Sequence, residues 1–274
     1  MALLADAPYL MGSSDHERAR LMRQASLLDP FTRRLLREAG PAPGMRVLDV
    51  GCGVADVTLL GADLVGPAGF VLGVDRDASA LGTARARAAA AHRRNVAFVD
   101  ADFQSLAVET MFDAVVGRYV LVHQPDPAAA LRSLLPHLRP GGVVFFHEPD
   151  FSDLRATPSS PLYGQMVDWF RRTAARIGFE LAMGRALPAA YVAAGLPAPE
   201  LRLETPAGGG PAFDGYAYLA DATRSILPAI ERVGVATAAE VAIDTLADRL
   251  RGEVTEGGGW ITLPTNVGVW SRVG

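Results

Sequence analysis

The residues best placed to do chemistry in this sequence are Asp49 and Asp56. They flank the glycine-rich turn in Val47-Leu48-Asp49-Val50-Gly51-Cys52-Gly53-Val54-Ala55-Asp56. A short apolar run that breaks into such a turn and then becomes a helix is a buried strand feeding a nucleoside-binding loop. A dinucleotide site needs a small residue at the sixth position of the turn and no anion beside the pyrophosphate. Here Asp56 fills that position, and no basic residue lies in the turn. Carboxylates there suit a cationic ligand, an ammonium or a sulfonium, so the turn favours S-adenosylmethionine over NAD.

Two further acids follow the same logic. Asp75 ends the run Phe70–Val74, and Arg76 follows it. An acidic residue at that point takes the hydroxyls of a ribose diol. Asp102, just after the run Val96–Val99, is placed to accept from an adenine amino group, with Phe103 against the ring. One acid at a strand end is often only a helix cap. Acids at three successive strand ends lie along the carboxyl edge of one sheet, where open α/β sheets bind ligands. Cys52 is the only cysteine. It reads as a small side chain tolerated inside the turn rather than as a nucleophile, and it fits a reducing interior.

These residues must be held by alternating strands and helices. Strands are predicted over Arg46–Val50, Phe70–Val74, Val96–Val99, Phe112–Val116 and Val143–His147. Helices are predicted over Val54–Val65, from Asp77 to about Arg93, and from Asp126-Pro127 to about Leu138. Short apolar strands separated by helices make a parallel sheet covered on both faces. Two helices precede the first strand. One starts at a Ser14–Glu17 capping box, and the second at Asp29-Pro30, an N-cap followed by an N1 proline.

After Glu148 the rhythm changes to helices over Leu162–Ile177, Leu187–Ala194, Gly215–Val233 and Ala238–Arg251, with strands at Leu201–Glu204 and Trp260–Val269. Glycine triplets at 208–210 and 257–259 bracket the later helices, either as hinges of an insertion that swings as a unit or as ordinary loops. The segments expected are N-terminal helices over 1–44, a cofactor-binding core over 45–150, a helical lid over 151–200, and the last two strands over 201–274 with a helical insertion at 211–256.

Composition sets outer bounds. Half of the 274 residues are apolar and a fifth are charged, ordinary for a globular chain with a full core. All 26 basic residues are arginine, against 30 acidic ones, for a net charge of −4. That balance gives no basic footprint for nucleic acid. No apolar run is long enough for a membrane helix, and the N-terminus lacks the pattern of a signal peptide. A cytoplasmic protein with no membrane partner is expected. Scattered histidines and one cysteine offer no metal-ligand spacing, so no metal is expected.

Taken together, Leu48-Asp49-Val50-Gly51-Cys52-Gly53, Gly73-Val74-Asp75, Ala101-Asp102, Phe112-Asp113-Ala114-Val115 and Leu138-Arg139-Pro140-Gly141-Gly142 resemble the class I S-adenosylmethionine-dependent methyltransferases. The likeness runs from about Met45 to Glu148 and is looser toward the branch that methylates quinones and natural products. It implies a Rossmann-like, doubly wound α/β fold. The sheet would be mostly parallel and seven-stranded, with Trp260–Val269 as an antiparallel last strand inserted between the fifth and sixth. It also implies that Asp49, Gly51 and Gly53 hold the methionine moiety, Asp75 the ribose, and Asp102 with Phe103 the adenine, with Arg76 beside Asp75 among the cofactor-binding residues. Gly117 and Arg118 would meet the methionine amine and carboxylate, and Tyr9 would close over the cofactor. Ala55 stands where many members have a third glycine.

Methyl transfer is an in-line displacement that depends on positioning and desolvation, and a hydroxyl acceptor must also lose a proton. His123, after the fourth strand, is the first candidate for a base, and Glu148, at the end of the fifth, is the second. His147 precedes it and points to the opposite face. Tyr163, Met166, Trp169 and Phe170 are candidates for an apolar acceptor pocket, with core packing as the alternative. The expected reaction is O- or C-methylation of an apolar small molecule, leaving S-adenosylhomocysteine, and a homodimer is compatible with it. Two other readings stay open: a cyclase that keeps the cofactor as a fixed cation without transfer, and an NAD(P) oxidoreductase. Asp56 and the lack of any Tyr-x-x-x-Lys pair weigh against the oxidoreductase.

Overall fold

The structure, a computed structural model, describes residues 15–274, with side chains from Gln24 onward except at position 26. Tyr9 and the Ser14–Glu17 capping box therefore lie outside the described residues. The elements run in the order α1 (Asp15–Ala39), β1 (Arg46–Val50), α2 (Asp56–Val65), β2 (Phe70–Asp75), α3 (Ala78–Ala90), β3 (Val96–Asp100), β4 (Phe112–Arg118), α4 (Pro127–Leu134) and β5 (Leu138–Asp150). There follow β6 (Ala156–Thr157), α5 (Pro161–Ile177), α6 (Met183–Ala193), β7 (Glu200–Glu204), β8 (Ala207–Gly208), α7 (Gly215–Arg232), α8 (Ala238–Val241), α9 (Leu246–Glu256), β9 (Trp260–Thr262) and β10 (Thr265–Arg272).

Seven strands form the main sheet in the order β3-β2-β1-β4-β5-β10-β7. β1 pairs in parallel with β2 and β4, β2 with β3, and β4 with β5. The last strand of the chain, β10, runs antiparallel between β5 and β7, as the reciprocal bonds Gly141 N–H to Val273 O and Val273 N–H to Gly142 O show. The mostly parallel, doubly wound sheet expected from the sequence is thus present. Trp260–Val269, however, is not one strand. It breaks at Leu263-Pro264, and β9 joins a separate three-stranded sheet in the order β6-β9-β8.

The chain divides into two compact units, each with its own core. One holds Leu21–Pro149, Met183–Leu203 and Asn266–Gly274. Its core sets Phe31, Leu35, Leu36 and Ala39 of α1 against Val47, Val71, Val116 and Phe145 of the sheet. The other holds Asp150–Ala182 and Glu204–Thr265. In it α5, α7 and α9 pack on one another, and Ser160 and the Leu162 amide both bind the Glu253 carboxylate. The segment expected over 151–200 is shared between the units, because α6 belongs with the main sheet. The Tyr191 hydroxyl on α6 donates to the Val269 carbonyl at 2.9 Å.

Where the sequence suggests two N-terminal helices, α1 is one helix running through Pro30. Proline inside a helix removes a backbone bond and crowds the preceding turn. Two observations explain why the helix continues. Asp29 is not free to cap a new helix, because its carboxylate holds Arg118 at 2.8 Å. The buried stripe of Ala25, Leu28, Phe31 and Leu35 also crosses the proline without a gap.

The glycine triplets are likewise not a pair of loose loops. β8 pairs with β9, with Gly208 opposite Ile261, and a Cβ on Gly209 would lie 2.1 Å from the Gly259 carbonyl oxygen. Gly209 is glycine because the two backbones touch there. Among the described residues no helix is long and apolar enough to cross a membrane. Leu35 is 1 % exposed in the core of the first unit. Leu35→Ala is expected to lower unfolding free energy by about 2–5 kcal/mol, read from urea denaturation; a loss below about 1 kcal/mol would show that α1 is not docked as described.

Candidate functional site

The turn after β1 owes its shape to backbone that only some residues tolerate. Gly51 and Gly53 have φ of +61° and +51°. A Cβ on Gly51 would strike the Val120 side chain at 2.6 Å, while one on Gly53 would meet nothing within 4 Å. Gly51 is therefore demanded by the neighbouring loop, and Gly53 faces open space. Ala55 is also left-handed, at φ +74°. The missing third glycine thus leaves a strained alanine.

Asp75 gathers the backbone at the carboxyl edge of the sheet. Its Oδ2 accepts from the Gly53 N–H at 2.8 Å and its Oδ1 from the Asp77 N–H at 2.9 Å. Its own carbonyl accepts from the Ala101 N–H at 3.1 Å, which ties the end of β2 to the end of β3. Each carboxylate oxygen keeps a further lone pair for a hydroxyl donor. Burial raises the carboxyl pKa, and the backbone N–H groups of Asp77, Gly53 and Arg76 oppose that rise. Arg76 is exposed beside it. Asp102 is exposed and caps the short turn Phe103–Ser105 by accepting from the Gln104 N–H at 2.9 Å. Phe103 is buried, and its turn packs on α4.

Asp49 and Asp56 stand differently from the sequence expectation. Asp49 is 1 % exposed, and its Oδ2 accepts from the Thr58 hydroxyl at 2.5 Å. Burial pushes its pKa from 3.8 to about 7. Asp56 binds Arg87 at 2.6 Å through one oxygen and Arg118 at 3.3 Å through the other. Neither is an uncompensated anion awaiting a cation, so the electrostatic argument for the sulfonium no longer rests on them.

Arg118 is likewise engaged. Its guanidinium, 8 % exposed, binds Asp29 at 2.8 Å and Thr32 at 3.1 Å as well as Asp56. From Thr32 the chain of contacts continues to His147 Nδ1 at 3.1 Å, from His147 Nε2 to Asn266 at 3.0 Å, and from Asn266 to the Tyr119 hydroxyl at 2.8 Å. His147 is fully buried, and desolvation lowers its pKa to about 3, so it is neutral. Gly117 owes its identity to packing, since a Cβ there would lie 2.5 Å from the Phe146 ring.

Glu148 has a different task from the proton transfer considered for it. It is fully buried, and its two oxygens accept from the backbone N–H groups of Val120, Leu121 and Val122 at 2.9, 2.8 and 3.1 Å. It holds the short turn Leu121–His123 and thereby places His123, which is half-buried. Burial raises its pKa to about 7 against those bonds. Cys52 is buried, with its thiol pKa pushed well up by burial, as suits a structural side chain. Tyr163, Met166, Trp169 and Phe170 are all buried within the second unit. The Tyr163 hydroxyl donates to the Thr262 carbonyl at 2.7 Å, and Phe170 stacks on Phe151. They form that unit's core rather than an open pocket. Arg87, Tyr119 and Asn266 carry no sequence signal, because their partners are distant in the chain.

A methyltransferase-domain family model matches residues 41–184, more than half of the chain. The chain belongs to this methyltransferase family. Curated relatives of this methyltransferase chain include a demethylmenaquinone methyltransferase of Lactococcus lactis, 28 % identical over 58 % of this chain and 61 % of its own. A ubiquinone biosynthesis O-methyltransferase of Albidiferax ferrireducens is 33 % identical over 48 % and 50 %. An aklanonic acid methyltransferase of a Streptomyces species is 33 % identical over 44 % and 56 %. The matches thus span about half to three fifths of those relatives' length. Among solved structures, a Haemonchus contortus phosphoethanolamine N-methyltransferase with S-adenosylhomocysteine bound superposes with TM-score 0.57 at 18 % identity, over 89 % of this chain and 52 % of that one. The [4+2]-cyclase SpnF does so with TM-score 0.54 at 19 % identity, over 90 % and 81 %. Both show the fold.

Two outcomes follow from this geometry. Ala55→Gly is expected to raise stability by about 1 kcal/mol, seen as a higher melting temperature, because glycine relieves the left-handed strain. For Asp49, the pKa is raised in the folded state, so the unfolded chain loses its proton first. Stability is therefore lost as pH rises from about 3.8 to about 7. Asp49→Asn should remove that part of the pH dependence in denaturant titrations; an unchanged slope would show Asp49 is not buried as the acid.

Proposed function

We propose that this protein moves the methyl group of S-adenosylmethionine to an oxygen or carbon of an apolar small molecule, of the quinone or secondary-metabolite kind. The observation that carries the reading is the arrangement of Gly53, Asp75 and Asp102. A turn opens onto free space, a carboxylate held by its amides stands beside it, and a second exposed carboxylate follows on the next strand. That is a donor and acceptor set for a nucleoside with a free ribose diol. The residues 51–55, Asp75 and Asp102 would hold the methionine, ribose and adenine parts in turn. When bound, the cofactor supplies an electrophilic methyl on a sulfonium. Family membership and the named quinone and polyketide relatives support this reading over the cyclase and the oxidoreductase.

In this proposal the chain's own work is positioning. Glu148 fixes the 120–122 amides, which sets Val120 against Gly51 and presents His123. His123 is the residue we assign to proton removal from a hydroxyl acceptor. A cytoplasmic site and the absence of a nucleic-acid partner belong to the same proposal, supported by the net charge of −4. A homodimer belongs to it as well, and a solution mass of 28.9 kDa by light scattering would remove it.

The test is incubation with methyl-labelled cofactor and a metabolite extract from the source cells. Label in an organic-soluble product that has gained one methyl, with release of S-adenosylhomocysteine, supports the proposal. Thermal stabilisation by NAD alone would sink it. Asp75→Ala should weaken S-adenosylhomocysteine binding by about 1–3 kcal/mol in calorimetry. His123→Ala should leave that affinity in place and slow transfer to a hydroxyl by roughly 10²-fold or more.

A further inference from the structure

Ala55 sits in a conformation that costs any residue but glycine, at φ +74°, between the ligand-facing Gly53 and the first turn of α2. It makes no side-chain cap to the helix it precedes. Backbone bonds hold part of the turn: the Ala55 N–H donates to the Cys52 carbonyl at 2.9 Å, and the Ala55 carbonyl accepts from the Leu59 N–H at 3.0 Å. Arg87, reaching from α3, donates through one nitrogen to the Val54 carbonyl and to Asp56 Oδ1, so it grips the chain on both sides of Ala55. The second oxygen of Asp56 meets Arg118, itself anchored on Asp29 and Thr32. Val54 and Ala55 are buried, and Asp56 is nearly so, which gives these contacts little competition from water. The two hydrogens of that one nitrogen lie fixed in the guanidinium plane, one for each oxygen, whereas an ammonium is a point charge on a flexible stem.

We propose that Arg87 is a positioning residue for the cofactor, clamping Val54 and Asp56 so that a turn lacking its third glycine keeps the shape that receives the methionine part. The clamp and the alanine form one device: Arg87 is needed because position 55 is alanine. This rests on the S-adenosylmethionine reading above and adds to it a residue outside the turn, and it predicts an interaction between two positions that no general destabilisation would produce.

The test is a calorimetric series with S-adenosylhomocysteine and, separately, adenosine as probes. The proteins are the wild type, Arg87→Met, Arg87→Lys, Ala55→Gly and the Arg87→Met/Ala55→Gly pair, each checked by thermal melting. Arg87→Met should weaken S-adenosylhomocysteine about tenfold and change adenosine less than about twofold, since adenosine lies on Asp75 and Asp102. Arg87→Lys should fall between. The double variant should return to within about threefold of wild type. Arg87→Met binding like wild type, equal losses for both probes, or no rescue by glycine would each overturn the clamp. Should Arg87→Met melt below the assay temperature, the double variant against Ala55→Gly alone decides: equal affinity supports the clamp, and a tenfold gap overturns it. A wild type that binds neither probe would instead refute the cofactor reading itself.

Discussion

The carboxylate of Glu148 accepts three successive backbone N–H groups at the end of β4 while sealed from water. Much of the site's geometry depends on this contact. Three amides pointing the same way into a protein interior would be costly without an acceptor, and a buried carboxyl would be costly without donors. Each solves the other's problem. The loop so fixed puts Val120 against Gly51, and that contact forces the turn after β1 to be glycine. The turn in turn offers the Gly53 amide to Asp75. Three strand ends, β5, β1 and β2, are therefore set relative to one another by two carboxylates and one steric stop.

A second polar layer lies beneath the site. Arg87, Asp56, Arg118, Thr32, His147, Asn266 and Tyr119 form a continuous run of contacts from α3 to the start of β10. Its charged end pairs acids with arginines, and its neutral end passes through a histidine that burial keeps uncharged. Such a network is stabilising only when every member is satisfied. Tyr119, at the end of that run, holds a left-handed backbone at φ +59°. This is tolerable because its hydroxyl and its amide are both bonded, the amide to the His147 carbonyl at 2.9 Å.

The sheet was legible in the sequence because each of its first four strands is a short apolar run ended by an acid, a glycine or a turn, and local pattern decides such elements; of β5, Leu138–Asp150, the apolar middle Val143–His147 was legible and the two ends were not. Family membership was legible for the same reason: motif and strand end coincide. What misled was anything settled by distant partners. Asp29-Pro30 looks like a helix start until Arg118, far along the chain, claims the aspartate. Asp56 looks like a lone anion until Arg87 and Arg118 arrive from α3 and β4. Glu148 looks like an open strand-end acid until its full burial and its three amide bonds are seen. Trp260–Val269 looks like one strand until Leu263-Pro264 divides it between two sheets. Charge type could be read from the sequence, but whether the charge was compensated could not.

The meeting of the two glycine triplets has a consequence for how this chain could change over generations. Because β8 and β9 pair directly, the polypeptide leaves and re-enters the small sheet at nearly one point, with Gly209 against Gly259. The helices between them are tied there at both ends, and α7 and α9 are tied again by their packing on α5, so any change of length in that segment has to keep both the neck and the packing.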